Sequence, residues 1–538
     1  MSTDWSRRRF LAWLGRTPPA LALAAGMPRA ALGREPQVVV TALESTSADT
    51  LSLAAGLAYH VIVREGDVIN GRGEVFGTGN DYLAFFPLEG ADDGLLWVNH
   101  EYPVELFMNG KSRELPKTKA EVARERMMIG ASIVRVKRDP DSNRWAMVRD
   151  DRYNRRITAE TPIPLVAPRP IAGSTTAIGT LANCGGGVTH WKTVLTAEEN
   201  YDLFYGEVDY KSGDSSKRLT ADKRPLRWHE HFPMHPEHYG WIVEVDPFTG
   251  GAKKLTALGR FAHECATVRQ AADGRCVVYS GSDEKLGCLY KFIADTPGSL
   301  ERGTLYVASF EARRWVPLVW SDQPVLRKTY RDQLEVLIRA RDAGPLVGGS
   351  RLDRPEGIVV DPATQAVLVS FTNNSVRRNF HGSIVRIDET GGDPLALTFE
   401  HSTFLTGGKA TGFSCPDNLV FDPRGNFWFT TDVSGDELHG ETYGAFGNNG
   451  LFLVPVRGPA AGMPMRVAAA PVEAELTGPL FVRDGRTLLM CVQHPGEESA
   501  SLDRPTSRWP DGPGHLPRSA VVAVEGSLLD HLSVPLEA

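Results

Sequence analysis

Short apolar runs rich in β-branched and aromatic residues recur along the chain, and most stop at turn-forming residues. Residues 241–245 lead into Asp246-Pro247-Phe248-Thr249-Gly250. Residues 358–360 lead into Asp361-Pro362-Ala363-Thr364, and a second run follows at 367–371. Residues 419–421 lead into Asp422-Pro423-Arg424-Gly425-Asn426, and the aromatic run 427–431 follows. This order predicts hairpins, because proline presets φ and the aspartate side chain accepts hydrogen bonds from the backbone of the turn. Residues 132–136 and 383–387 echo one another and alternate apolar with polar positions. Hairpins of one design, repeated without helices between them, predict an all-β chain built as the blades of a propeller. Irregular spacing requires insertions on the blades. Helical periodicity is confined to residues 117–126 and 328–341, which predicts short helical insertions. Residues 211–227 read as a polar surface loop, and residues 500–518 as irregular and exposed. No long linker interrupts the pattern, so residues 34–538 are expected to form one decorated domain.

The first thirty residues do not fit that pattern. Ser6-Arg7-Arg8-Arg9-Phe10-Leu11, followed by a modest apolar stretch, matches a twin-arginine export signal ending near residue 33. Arg16, Pro18 and Pro19 interrupt the apolar stretch, and no later segment has the ~20 apolar residues of a membrane span. The mature protein is therefore expected to be periplasmic or secreted, delivered by the twin-arginine machinery and without stable membrane insertion. A formal charge of -7 gives no basis for nucleic-acid binding. Six cysteines without a Cys-x-x-Cys pair argue against a zinc ribbon or a thioredoxin-like site.

Acidic residues gather at the ends of the apolar runs. They occur in Asn99-His100-Glu101, Glu198-Glu199-Asn200, His263-Glu264-Cys265, Ser282-Asp283-Glu284, Arg354-Pro355-Glu356 and Cys415-Pro416-Asp417-Asn418, and Asp432 follows residues 427–431. A sheet-rich fold brings strand ends to one face, where so many carboxylates would repel unless cations lay between them. Oxygen ligands suit hard cations such as calcium, and a mixed thiolate–carboxylate set accommodates iron. Cys184, before Gly185-Gly186-Gly187, is either that thiolate or a buried cysteine beside a tight turn. Adjacent acids on a strand point to opposite faces, so each of the pairs Glu198/Glu199 and Asp283/Glu284 offers one ligand to a site. Arg354 is either an anion-binding fork or half of a salt bridge. No serine-hydrolase elbow, Walker loop or dinucleotide fingerprint is present.

Taken in order, these pieces resemble the PhoX-type alkaline phosphatases. The likeness runs from Asn80-Asp81-Tyr82-Leu83 and Asn99-His100-Glu101 through Asn183-Cys184-Gly185-Gly186, Ala197-Glu198-Glu199-Asn200, Ser282-Asp283-Glu284 and Asp353-Arg354-Pro355-Glu356 to Pro416-Asp417-Asn418 and Gln493-His494-Pro495-Gly496-Glu497. The resemblance implies a six-bladed propeller that hydrolyses phosphomonoesters at a cluster of ferric iron (Fe3+) and calcium (Ca2+). It implies Cys184 as an iron ligand. The carboxylates would come from Glu101, Glu198 or Glu199, Glu264, Asp283 or Glu284, Glu356 and Asp417, with Asp432 and Glu475 as further candidates. Arg354 would hold the substrate phosphate. Two competing expectations keep the propeller and calcium: hydrolysis of lactones or organophosphate esters, and a binding module without catalysis.

Overall fold

The computed structural model describes residues 40–111, 115–212, 217–219 and 225–533; the export signal expected at 1–33 lies outside them. Six sheets of four to six strands follow one another along the described chain and form the blades of a propeller. Their innermost strands are Asn80–Pro87, Asn183–Val188, Thr267–Gln270, Pro355–Val360, Pro416–Phe421 and Glu475–Val482. Each of these strands touches the next, and the sixth touches the first, so the ring closes. Closure uses the start of the described chain: Ala58–Arg64 pairs antiparallel with Ala520–Glu525 as the outer strand of blade 6. Ser52–Leu53 likewise completes the edge of blade 5.

The Asp-Pro turns behave as the sequence predicts. Asp361 accepts from the backbone of Ala363 at 2.9 Å, and Val360 pairs with Val367 across the hairpin. Asp422 accepts from Arg424 at 3.0 Å in the equivalent turn of blade 5, where Phe421 pairs with Phe427. The second strand of a blade is covered on both faces, which explains why its sequence is continuously apolar. Asp93–His100, Val367–Phe371 and Phe427–Thr431 are buried throughout. Side chains of neighbouring blades meet in shared clusters, such as Val277, Tyr279, Val367 and Val369 between blades 3 and 4. Each such side chain, once covered, contributes about 1.5–3 kcal/mol. Glycine is required where inner strands nearly touch: a Cβ on Gly187 would lie 1.9 Å from the carbonyl oxygen of Ala266 in the next blade.

The helical expectations hold in part. Residues 117–126 were expected to be helical, and Lys119–Met128 is, with a capping box from Thr118 and Glu121. The expected helix 328–341 breaks into Pro324–Thr329, Gln333–Ile338 and Ala340–Leu346. Asp332 caps the second of these by accepting from Glu335, so the periodic pattern is interrupted by a new N-terminus. Within 211–227, Arg218–Leu219 pairs with Glu207–Val208. Residues 500–518 carry no regular element, yet Ser507 and Trp509 are buried there. No helix among the described residues is long and apolar enough to cross a membrane.

Candidate metal centre

One backbone device recurs at the mouth of the propeller. Just before the inner strand, Gly79, Ala182, Arg354, Cys415 and Glu473 have positive φ, at 59°, 50°, 54°, 52° and 63°. Four of the five are not glycine, and each costs roughly 1–2 kcal/mol to hold there. Two residues on from each kink stands Asp81, Cys184, Glu356, Asp417 or Glu475. The backbone N–H of Glu101, Glu199, Thr372 and Asp432 then donates to the carbonyl of the kinked residue in its own blade, at 2.9, 2.9, 3.1 and 2.8 Å. Blade 3 makes the same closing bond, from Asp283 to Ala262 at 3.0 Å, and places Glu264 in the equivalent position without the positive φ. Every hairpin therefore delivers a residue from the start of its first strand to the same opening, and all but that of blade 4 add one from the end of the second.

The opening is a cavity of about 360 Å³. Its lining holds Asp81, Glu101, Glu199, Glu264, Asp283, Glu356, Asp417, Asp432, Asp436, Glu475, Glu497 and Glu498, together with Cys184 and a single cation, Arg354. At an effective dielectric near 20, two like charges about 4 Å apart repel by about 4 kcal/mol. Burial first, then Asp283, Glu264 and Glu101, push the Glu199 carboxyl well above its usual range. Burial, then Asp417 and Asp283, do the same to Glu264. Asp417 rises to about 7 through burial and the nearby Asp432.

Cys184 is the hinge of the acidic side. Its Sγ lies 3.1 Å from Glu264 and 3.4 Å from Asp81. It belongs to two triads of convergent ligand atoms, Asp81–Glu101–Cys184 and Cys184–Glu199–Glu264. Burial and then the surrounding carboxylates raise its thiol pKa, so a thiolate there needs a cation beside it. Asp81 Oδ1, Glu356 Oε2 and Asp417 Oδ1 are buried acceptors with no hydrogen-bond donor. Native proteins leave few such atoms without reason. Orphaned acceptors, crowded acids and a central sulfur together form a donor set that fits metal cations.

The opposite wall carries Arg354. Its guanidinium forks onto Asp283 with two bonds of 2.8 Å, reaches Asp432 at 3.2 Å and pairs closely with Glu356. Burial alone would lower the arginine pKa, but Asp283, Glu356 and Asp432 outweigh it and raise it.

The structure divides the adjacent acid pairs. Glu199 and Asp283 line the cavity, whereas Glu198 and Glu284 do not. Glu198 is fully buried against Lys254 at 2.6 Å and accepts from the backbone of Leu181 and Trp241 at 3.3 and 3.1 Å. Glu284 turns to Arg341 on the helical insertion. Both depart from the expectation of a metal ligand, since a strand or its extension sends successive side chains to opposite faces. Glu101, Cys184, Glu264, Glu356, Asp417, Asp432 and Glu475 all reach the cavity. Sequence reasoning missed Asp81, Asp436, Glu497, Glu498 and Gln493, the last donating to Glu101 at 2.6 Å. Asp81 was detectable, because Gly79-Asn80-Asp81 aligns with Ala182-Asn183-Cys184. All six cysteines are buried thiols, and none is paired in a disulfide.

A propeller whose mouth gathers hard ligands around one thiol, beside one arginine, defines a scaffold suited to metal cations. Residues 38–496 match the family described as alkaline phosphatase PhoX, and the chain belongs to that family. Among solved structures it is similar to PhoX of Pseudomonas fluorescens in complex with vanadate, a transition state analogue. That likeness has 28% identity and a TM-score of 0.81, and covers 91% of this chain and 98% of that one. A protein of unknown function from Dyadobacter fermentans matches at 10% identity, with 88% of this chain and 100% of that one covered and a TM-score of 0.41. No curated protein matches. Membership makes the chain a metal-dependent phosphatase, a phosphoric monoester hydrolase, which displaces the lactone and binding-module readings.

Proposed function

We propose that this phosphatase is exported to the periplasm or beyond and cleaves phosphomonoesters at a mixed cluster of ferric iron and calcium. The observation that carries this reading is Cys184 at the shared corner of two ligand triads. Cys184, Asp81, Glu101, Glu199 and Glu264 would hold iron, for which a thiolate among carboxylates is a suitable set. Asp283, Glu356, Asp417, Asp432 and Glu475 offer oxygen alone and would hold calcium. When bound, the cations supply Lewis acidity and neutralise the charge of the ester.

The chain's own residues do the rest. Arg354 would offer the phosphoryl oxygens donors that Asp283 and Asp432 hold in this structure, and those two acids keep its guanidinium at the cavity wall. Its backbone is held at φ 54° and its side chain lines the cavity. Asn200 donates to Glu199 at 2.5 Å and Asn418 to Asp417 at 2.8 Å, which orients those carboxylates and leaves their other oxygens open. Tyr102, Leu203 and Leu226 add apolar surface to the lining.

The test is elemental analysis of protein exported by its own signal, alongside a phosphomonoester assay. Iron and calcium should accompany activity through purification. Full activity in iron-free protein would overturn the mixed centre. Changing Arg7 and Arg8 to lysine should leave folded precursor in the cytoplasm, and undiminished export would overturn the twin-arginine route.

A further inference from the structure

A second cavity of about 310 Å³ opens on the mouth face, outside the ring of acids. Its walls come from the loops that follow the second strands of blades 3 and 4 and from the helical insertion before blade 4. These loops emerge on the same face as Asp283, because in every blade the second strand ends at the mouth. Arg354 separates the two cavities: its guanidinium points into the mouth, and its backbone N–H donates to the carbonyl of Glu284 at 3.1 Å. Asp283 and Glu284, neighbours in sequence, each line one of the two cavities.

The charge of this second cavity is opposite to that of the first. Glu284 is paired with Arg341, and Asp342 with Arg339 at 3.0 Å, which neutralises both acids. Lys285 and Arg351 remain. Lys285 donates only to the hydroxyl of Ser375 at 2.7 Å, and no described carboxylate lies within salt-bridge distance of either cation. Leu286 and Val376, 36% and 68% exposed, supply apolar surface at the same rim. Two uncompensated cations beside a strongly acidic mouth create a local field that attracts an anionic group and turns it away from the metal ligands.

We propose that this cavity is a leaving-group subsite: Lys285 and Arg351 bind a second anionic group carried by the alcohol part of the phosphomonoester. Leu286 and Val376 cover the linking carbon skeleton. The preferred substrates are then phosphomonoesters whose leaving alcohol bears a carboxylate or a further phosphate. This deepens the phosphatase reading and rests on it.

A matched pair of esters tests the subsite, phenyl phosphate and 4-carboxyphenyl phosphate, which differ by one carboxylate. The metal-loaded wild-type enzyme should favour the carboxylated ester in kcat/KM, mainly through KM, and added salt should weaken the preference. Lys285→Ala together with Arg351→Ala should reduce the ratio of the two kcat/KM values about tenfold, the loss of charge-assisted hydrogen bonds at an open site. Lys285→Arg should retain the preference. A ratio unchanged in the double variant, or equal loss on both esters, would overturn the subsite while leaving the phosphatase reading intact. Hydrolysis of neither ester by the loaded wild type would instead overturn the phosphatase reading, and the subsite with it.

Discussion

The two walls of the mouth meet the same electrostatic problem differently. On the wall made by blades 1 and 2 and Glu264, the carboxylates face Cys184 and one another, with no lysine or arginine among the cavity-lining residues there. On the opposite wall, Arg354 stands between Asp283 of blade 3, Glu356 of blade 4 and Asp432 of blade 5. The first wall depends on external cations for its charge balance, and the second carries part of its own. On the proposed function the cation-free wall would decide metal identity, and the arginine wall would receive an anion. Breaking one should leave the function of the other measurable.

The largest effect belongs to the cation-free wall. Cys184→Ser keeps the volume nearly unchanged but removes the sulfur shared by both triads, so bound iron and phosphatase activity should fall together, with activity down by more than about a hundredfold. Elemental analysis beside a melting curve checks this. A fall in melting temperature with iron retained would mean that the thiol is only a packing group.

Stripping the metals should invert the pH response of stability. Without cations the folded state holds Asp417 near 7, above its ordinary value of 3.8, because burial and Asp432 oppose its charge. A raised carboxylate pKa means that ionisation costs more in the folded than in the unfolded chain. Chelated protein should therefore lose stability as pH rises from about 4 to about 7, and level off beyond. The melting temperature at pH 8 should lie a few degrees below that at pH 5. Loaded protein should not lose stability over that interval, since bound cations hold the same groups ionised. Parallel curves for the two forms would show that the acids are not balanced by metal.

The adjacent pair Glu198/Glu199 offers a sharper cut across one strand end. Lys254→Met leaves Glu198 charged and buried without its partner, a loss of about 3–5 kcal/mol in stability, while the surviving folded protein should still bind metal. Glu199→Gln should do the reverse, releasing metal with little change in the melting temperature of chelated protein. Equal metal loss in both would place Glu198 in the ligand set after all.

This pair also marks what could be read from sequence. Hairpins were legible because Asp-Pro turns and β-rich runs are local signals, and the gathering of acids followed from strand ends sharing one face. Which acid of a pair faces the mouth was not legible. It depends on the register set by the kink at Ala182 and the closing bond from Glu199, and neither leaves a mark in local composition. Asp81 was missed because it follows asparagine inside a strand instead of ending an apolar run. The break at Asp332 was missed because an N-cap within a helical pattern resembles an ordinary polar position.

Arg354 tests the other wall with the smallest expected change. If the guanidinium receives the phosphate, Arg354→Ala should weaken inhibition by inorganic phosphate by roughly ten- to hundredfold, about 1.5–3 kcal/mol for lost charged hydrogen bonds. Metal content should stay near wild type, because Asp283, Glu356 and Asp432 remain and their negative charge is less opposed. Lysine should restore only part of the affinity: it returns the charge, but a single ammonium cannot bridge Asp283 and Asp432 while presenting a planar fork. A merely structural arginine predicts something else, a lower melting temperature and an unchanged phosphate inhibition constant in the protein that stays folded. Alanine at this position is still held at φ 54°, so backbone strain is relieved only if a glycine is placed there. Arg354→Gly should therefore match the alanine variant in phosphate affinity yet melt slightly higher. Two variants with equal inhibition constants and separate melting temperatures would divide the work of the side chain from that of the backbone.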